Sequence, residues 1–367
     1  MLLVQSERNA LLSSLSAVVG VVERRHTLPI LSNLLLEKKG NTLTLLATDL
    51  ELQISTQQNV EAGEDFAITI AARKLFDIVR ALPDSAKVKL DSKDSQVVVS
   101  AGKSRFTLQT LPAADFPRVE TGAGLGAAIS LPQKTLKRLL QLVQFAMASQ
   151  DIRYYLNGML LVLEGKQLRV VATDGHRLSY AETQLEAEAE SREVIIPRKT
   201  VVELSKLLGD VDDPVELRIG ANQVTITLPG TELVTKVVDG KFPDYQRVIP
   251  MNQPRQLKAN RQNVMQALQR AAILSNEKFR GVRLVMSENT LGLVCNNNEQ
   301  EEAADEIEVS YNGEPLDVGF NVTYLLDGLG ALNSEEIILS LADANSSMLL
   351  SSEGEAGFKY VVMPMRI

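Results

Sequence analysis

Arg153 to Leu178 reads RYYLNGMLLVLEGKQLRVVATDGHRL. Met159 to Glu164 has the character of a strand. Gly165-Lys166 reads as a two-residue turn, Gln167 to Ala172 as a second strand, and Thr173-Asp174-Gly175-His176 as a polar break. The same grammar recurs twice in degraded form. Leu28 to Leu52 reads LPILSNLLLEKKGNTLTLLATDLEL, and Lys278 to Glu302 reads KFRGVRLVMSENTLGLVCNNNEQEE.

Working outward, each hairpin follows a helix-like segment: Ser6 to Val19, Pro132 to Met147, and Asn260 to Leu274. Each is followed by a strand entering a second helix, with Ala71, Pro197 and Asn321 in equivalent places 126 and 124 residues apart. A further set of strands closes each copy. A period near 125 residues is too long for a solenoid and fits three tandem domains, expected at 1–124, 125–250 and 251–367. The joints fall in TGAGLGAA and PMNQPRQ, which are rich in Gly or Pro and lack apolar periodicity. Neighbouring hairpins predict mostly antiparallel sheets carrying helices on one face, an α+β class.

At 367 residues the chain is too long for one ordinary core. No run of about 18 apolar residues is present, and MLLVQSERN does not read as a secretory leader. The single cysteine, Cys295, excludes an intrachain disulfide and a cysteine-rich metal site. These features predict a cytoplasmic protein. The net charge of −8 is unevenly spread. Residues 1–124 hold 14 Lys/Arg against 14 Asp/Glu, residues 125–250 hold 15 against 16, and residues 251–367 hold 9 against 16. A neutral first third and an acidic last third predict head-to-tail attraction between chains, or simply an acidic protein.

The opening helices are depleted of acid. No Asp or Glu occurs from Gly126 to Gln150 or from Arg261 to Ser275. Lys134, Lys137 and Arg138 share one helical face, as do Gln262, Gln266, Gln269 and Arg270. The second helices carry Arg73, Lys74, Arg80, Arg198, Lys199 and Lys206. This is either an ordinary solvated face or a surface that meets phosphates without reading bases.

Templates for metal, dinucleotide, P-loop and nucleophile-elbow chemistry find no match, so no cofactor is expected. Asp174 and His176 are spaced as an orienter and a base. The equivalent positions in the other copies, Thr48-Asp49-Leu50-Glu51 and Asn296-Asn297-Asn298-Glu299, favour a turn instead. His26 reads as a surface residue. Leu156, Leu178 and the tail Val361-Val362-Met363-Pro364-Met365 read either as core or as an adaptable peptide groove. Three functions fit these residues: a DNA clamp, a peptide-binding scaffold, or a hydrolase at His176.

RRHTLPILSNLLL, AARKLFDIVRALP, TLPAADFP, MASQDIRYYLNGML, VATDGHRL, IIPRKTVVEL, VDGKFPDYQRVIP, ILSNEKFRGVRL, GFNVTYLLD and YVVMPMRI stand in this order along the chain. Together they resemble the bacterial DNA polymerase III β subunits, the sliding clamps, over nearly the whole length. The resemblance implies a ring-shaped homodimer of six similar domains, with two helices per domain inside and sheets outside. Such a ring encircles duplex DNA, tethers the replicative polymerase, and has no active site or metal. A clamp loader opens it, and other polymerases and repair proteins dock through short motifs. DNA contacts are implied for Arg25, Arg73, Gln150, Tyr154 and Tyr155, with Lys199, Phe279 and Arg280 beside them. A partner-peptide pocket is implied at Leu156, Thr173, Gly175, His176, Arg177, Leu178, Pro243, Arg247, Val248, Val361 and Met363. An adjoining shelf is implied at Arg153, Tyr154, Asn321, Tyr324, Ser347, Pro364 and Met365. The sequence departs from the family pattern at Ser149, in place of a histidine, and at Asn345, in place of an apolar residue. A dimer seam is implied between Lys74, Lys103 and Arg105 on one side and Glu299, Glu301, Glu302 and Asp305 on the other, with Ile273 and Leu274 as its apolar part.

Overall fold

The computed structural model describes residues 2–23, 28–60, 63–120, 122 and 124–366. Arg25 and His26 lie outside the described residues.

The first copy runs β1 (Leu2–Glu7), α1 (Arg8–Val19), β2 (Asn33–Lys39), β3 (Thr42–Thr48), β4 (Leu52–Asn59), β5 (Phe66–Ala71), α2 (Ala72–Ala81), β6 (Lys87–Lys93), β7 (Gln96–Ala101) and β8 (Ser104–Leu111). The second runs β9 (Ile129–Pro132), α3 (Gln133–Val143), β10 (Gly158–Thr173), β11 (Arg177–Pro197), α4 (Arg198–Leu207), β12 (Pro214–Ile219), β13 (Gln223–Leu228) and β14 (Thr231–Lys236). The third runs β15 (Arg255–Asn260), α5 (Arg261–Ala271), β16 (Gly281–Ser287), β17 (Thr290–Asn296), β18 (Glu302–Glu308), β19 (Leu316–Asn321), α6 (Val322–Ala331), β20 (Glu336–Leu341), β21 (Met348–Ser351) and β22 (Phe358–Val362). Ala71, Pro197 and Asn321 each stand immediately before a second helix, as their spacing predicts. Only Asn321 caps it with its side chain, accepting from Thr323 N at 2.9 Å and Tyr324 N at 3.3 Å.

The central stretch differs from its expected form. β10 continues through Gly165-Lys166, and both of its halves pair with the long β11: Leu160 with Ile195, Val170 with Ala181. The interruption survives as Gly165 at φ 58° and a register shift on either side of it. Residues 185–188 of β11 have no partner on β10 at this shift, so the interruption at Gly165 reaches both strands.

Two compact units result: residues 1–136 with 202–237, and residues 137–201 with 238–367. The first holds a twelve-stranded antiparallel sheet, ordered β1-β6-β7-β8-β5-β2-β3-β4-β14-β13-β12-β9. The second holds a six-stranded sheet, β10-β11-β22-β21-β20-β15, and a four-stranded one, β18-β17-β16-β19. Sheets therefore run across the repeat joints, β4 pairing with β14 and β11 with β22. Each joint hides two edges that would otherwise be open.

Periodicity explains which faces are buried. Leu11, Leu15 and Val18 of α1 point inward, as do Val264, Ala267, Leu268 and Ala271 of α5. β16 and β17 alternate strictly, sending Val282, Leu284 and Met286 and then Leu291, Leu293 and Cys295 into the core. Burial pushes the Cys295 thiol up to about 11, so it acts as a small apolar group. In α6, Gly328 lets the Tyr360 ring approach so closely that a Cβ would lie 2.5 Å from it.

Candidate functional site

All the residues expected in the peptide pocket and shelf fall in the second unit. The turn between β10 and β11 organises them. Asp174 Oδ1 accepts from His176 N at 2.9 Å and from Arg177 N at 3.1 Å. Thr173 Oγ1 accepts from Gly175 N at 3.1 Å and donates to the Arg177 carbonyl. Gly175 sits at φ 90° with the Arg153 guanidinium 3.1–3.2 Å from where a Cβ would stand. The first copy builds the same turn: Asp49 Oδ1 accepts from Glu51 N and Leu52 N, and Leu50 N donates to Thr48 Oγ1. In the third copy Asn297 Oδ1 accepts from Glu299 N and Glu301 N. Asp174 is thus a turn former, and its spacing from His176 carries no base-orienter geometry.

Arg177 is the hub. Its side chain is 10% exposed. Nε pairs with Asp174 at 3.0 Å, Nη1 with Asp327 at 2.6 Å, and Nη2 donates to the Phe145 carbonyl at 2.7 Å. The guanidinium lies 4.4 Å from the Tyr324 ring centroid and 5.6 Å from that of Phe145. Burial, the largest single influence, lowers its pKa; Tyr360, Asp327 and Asp174 outweigh burial and raise it. The cation is fully engaged internally, so its task is to lock the turn to α6. Its partners Asp327 and Phe145 were not legible in the sequence.

The apolar residues divide into floor and rim. Leu156, Leu178 and Val361 are buried at 1–2% exposure. Leu178 and Val361 join a cluster with Leu160, Val171, Tyr180, Phe242, Tyr245 and Ile249. Met363, Val248 and Tyr154 stand exposed above at 48%, 39% and 57%. Met363 N donates to the His176 carbonyl and Met365 N to the Gly319 carbonyl, which fixes the tail, and with it Pro364, beside the turn. Pro243 and Arg247 are exposed, and Arg247 pairs with Asp244 at 2.9 Å. On the shelf, Arg153 pairs with Asp151 at 2.9 Å, and hydrogen bonds from Arg153 hold the Asp151 carboxyl at about 2. Tyr324 is half-buried, and the Ser347 carbonyl accepts from Gln253.

The expected DNA contacts fare unevenly. Arg73 donates to the Val22 carbonyl at 2.6 Å, which ties α2 to the end of α1. Gln150 stands exposed at φ 58° and Phe279 is 57% exposed. Arg280 is exposed too; its backbone bonds Asn276 and Val322. Tyr154 and Tyr155 meet edge to face at 5.9 Å, with Tyr155 packed on the core cluster. Lys199 is half-buried.

The acid-poor helices are less positive than their own sequences suggest. Lys134 pairs with Asp212 and Lys206 with Glu203, both at 2.7 Å; Arg80 pairs with Asp77 at 2.8 Å, and Arg138 with Glu355. Two of these four carboxylates, Asp212 and Glu355, come from outside α3, the helix they neutralise, which is why composition along that helix overstated its charge.

Among the sheet edges of the described residues, β8 and β18 carry opposite chemistry. β8 pairs with β7, but meets β5 only at Thr110 and Leu111, leaving Ser104–Gln109 bare on one side. Lys103, Arg105 and Phe106 are exposed there. β18 ends the four-stranded sheet and carries Glu302. Ile273 is 78% exposed and Leu274 half-buried. Asp305, expected at the seam, pairs with Arg270 of its own chain at 2.6 Å, and Glu301 accepts from Asn297. Glu299 is exposed, and Lys74 has no ion pair among the described residues. Phe106 was missed; its signal was an aromatic on a strand beside two cations.

Family models described as the N-terminal, central and C-terminal domains of the DNA polymerase III beta subunit match residues 3–120, 130–244 and 246–366. The chain belongs to the DNA polymerase III β-subunit family, the sliding clamps. The Beta sliding clamp of Pseudomonas putida is 48% identical over 98% of this chain and 99% of its own. That of Escherichia coli is 46% identical over 98% and 99%. The DNA polymerase III subunit beta of Pseudomonas aeruginosa superposes with a TM-score of 0.94 at 46% identity, covering 100% of both chains. A second structure of that protein, at TM-score 0.95 and 46% identity over 100% of both chains, has griselimycin bound. The role is therefore that of a clamp that tethers DNA polymerase III, a processivity factor rather than an enzyme. No helix among the described residues is long and apolar enough to cross a membrane.

Proposed function

We propose that two chains close head to tail into a cytoplasmic ring around duplex DNA, with each chain contributing three domains bounded near residues 124 and 250. The single observation that carries the ring is the pair of open edges with opposite chemistry. β8 offers Lys103, Arg105 and Phe106, and β18 with its flanks offers Glu299, Glu302 and Ile273. Antiparallel pairing of such edges across two chains removes the aggregation hazard each presents alone. The ring meets phosphates through Gln150, Tyr154, Phe279 and Arg280, with Arg25 and Lys199 contributing charge. Arg73 acts mainly by holding α1 and α2 together.

Partner proteins (polymerase, clamp loader, repair polymerases) dock a short apolar motif above Leu178 and Val361. The motif is admitted between Met363, Val248 and His176 and flanked by the Arg153–Tyr324 shelf. The griselimycin complex of the Pseudomonas aeruginosa relative supports a ligand site in this fold. The test is retention. Loaded onto covalently closed circular DNA, the protein stays; linearising the same DNA releases it within the run-off time. Equal retention on both forms would overturn the ring.

A further inference from the structure

An open groove of about 510 Å³ lies in the second unit, between β10–β11 and the segment 241–246. Its floor is Leu160, Val162, Phe242 and Tyr245. Three of these belong to the same buried cluster as Leu178 and Val361, and Val162 packs against that cluster. Pro243 lines this groove as well as standing among the expected pocket residues. The groove is thus continuous with the proposed peptide pocket, the segment 242–245 being their common wall.

Its chemistry differs from the pocket's. Residues 178–193 carry five acids against one base. Glu186, Glu188 and Glu190 alternate with alanines along β11, where the register against β10 shifts. All three are exposed, as is Glu193 at the groove itself. Of the three cations lining the groove, Arg169 pairs with Glu164 at 2.8 Å and Arg192 with Glu190 at 2.8 Å, while Lys241 stands exposed. The lining itself is balanced, with Glu164, Glu193 and Asp244 against Arg169, Arg192 and Lys241, and the surplus negative charge lies on the adjoining run at Glu186 and Glu188.

We infer that this groove receives the chain flanking a partner's docking motif, and that it selects a flank rich in lysine or arginine. The inference rests on the pocket reading above. The flank extends from the seated motif past Pro243, lays aliphatic stems on Val162 and Phe242, and brings its cations to Glu193, Glu186 and Glu188. Because these carboxylates are solvent-exposed, their contribution is to partner choice, weakening as salt rises.

The experiment uses the full chain and fluorescence anisotropy at low salt. The probes are a labelled six-residue peptide bearing Leu and Phe, and the same peptide extended at either end by four lysines or by four glutamates. One lysine-extended peptide is expected to bind about 3- to 10-fold tighter than the unextended one, and the glutamate-extended peptides no tighter. The triple variant Glu186→Lys, Glu188→Lys, Glu193→Lys abolishes that gain while leaving the six-residue peptide's affinity unchanged. The control Glu64→Lys, Glu120→Lys, Glu288→Lys makes the same change in net charge elsewhere and keeps the gain. A gain that is absent in the wild type, equal for both flanks, retained in the triple variant, or lost in the control overturns the inference. If the six-residue peptide itself fails to bind, the pocket reading falls, and the inference with it.

Discussion

Leu50 and Gly175 occupy one place in two copies of a single turn, at φ 79° and 90°. A leucine held in the left-handed region carries about 1–3 kcal/mol of strain that glycine avoids. Leu50 is 37% exposed, so its partial burial offsets about 1–2 kcal/mol of that. Leu50→Gly is therefore expected to leave stability within about 0.5 kcal/mol of its starting value, the rest of the relief being lost to greater freedom of the unfolded chain. The urea midpoint should hardly move; a clear fall would show that the Leu50 side chain matters more than its backbone. Arg177 poses the opposite case. Arg177→Gln leaves Asp174 and Asp327 without their cation and strips the stack on Tyr324. A loss of about 2–3 kcal/mol is expected, with charged hydrogen bonds setting the scale. Peptide affinity should fall with it, because the turn that carries Gly175 and His176 loosens. Unchanged stability with lost affinity would make Arg177 a direct ligand instead. The turn was readable from the sequence because Thr-Asp after a strand is a local signal. Asp327 was not, since it lies 150 residues from Arg177 and only the tertiary fold brings them together.

At the scale of elements, β8 is unusual in being exposed along nearly its whole length. A strand inside a sheet that covers a core on one face alternates, as β16 and β17 do. Exposure on both faces next to a bare edge marks a strand whose partner lies outside the chain. Phe106→Arg is expected to leave secondary structure and urea stability nearly unchanged, since that side chain contributes little to the core of its own chain. Sedimentation at micromolar concentration should shift from two chains to one. Persistence of the dimer would place the seam elsewhere. The hairpin repeats and the two helices per copy were legible because apolar periodicity and turn residues are encoded locally. The division into two units was not, because it depends on β14 choosing β4 and β22 choosing β11 as edge partners. Nor was the near-neutrality of α3, whose counter-charges Asp212 and Glu355 arrive from other elements.

For the whole molecule, that near-neutrality decides how a ring behaves on DNA. Each phosphate neutralised steepens the dependence of log affinity on log salt by about 0.9. With Arg80, Lys134, Arg138, Lys206 and Arg270 already paired, few cations are left to displace counterions. Binding of the unloaded protein to short duplexes should be weak, with a salt slope smaller in magnitude than about 4, and it should not discriminate between sequences. Retention after loading should behave in the opposite way. A closed ring on a closed circle has no route off that salt can open by screening phosphates, so raising salt from low to physiological strength should leave its lifetime unchanged. Linear DNA should still release it by sliding. A protein held by charge instead would show one steep salt dependence on both forms. The two measurements together separate topological holding from affinity, and a lifetime on circles that tracks the duplex-binding slope would mean the chain grips DNA rather than encircling it.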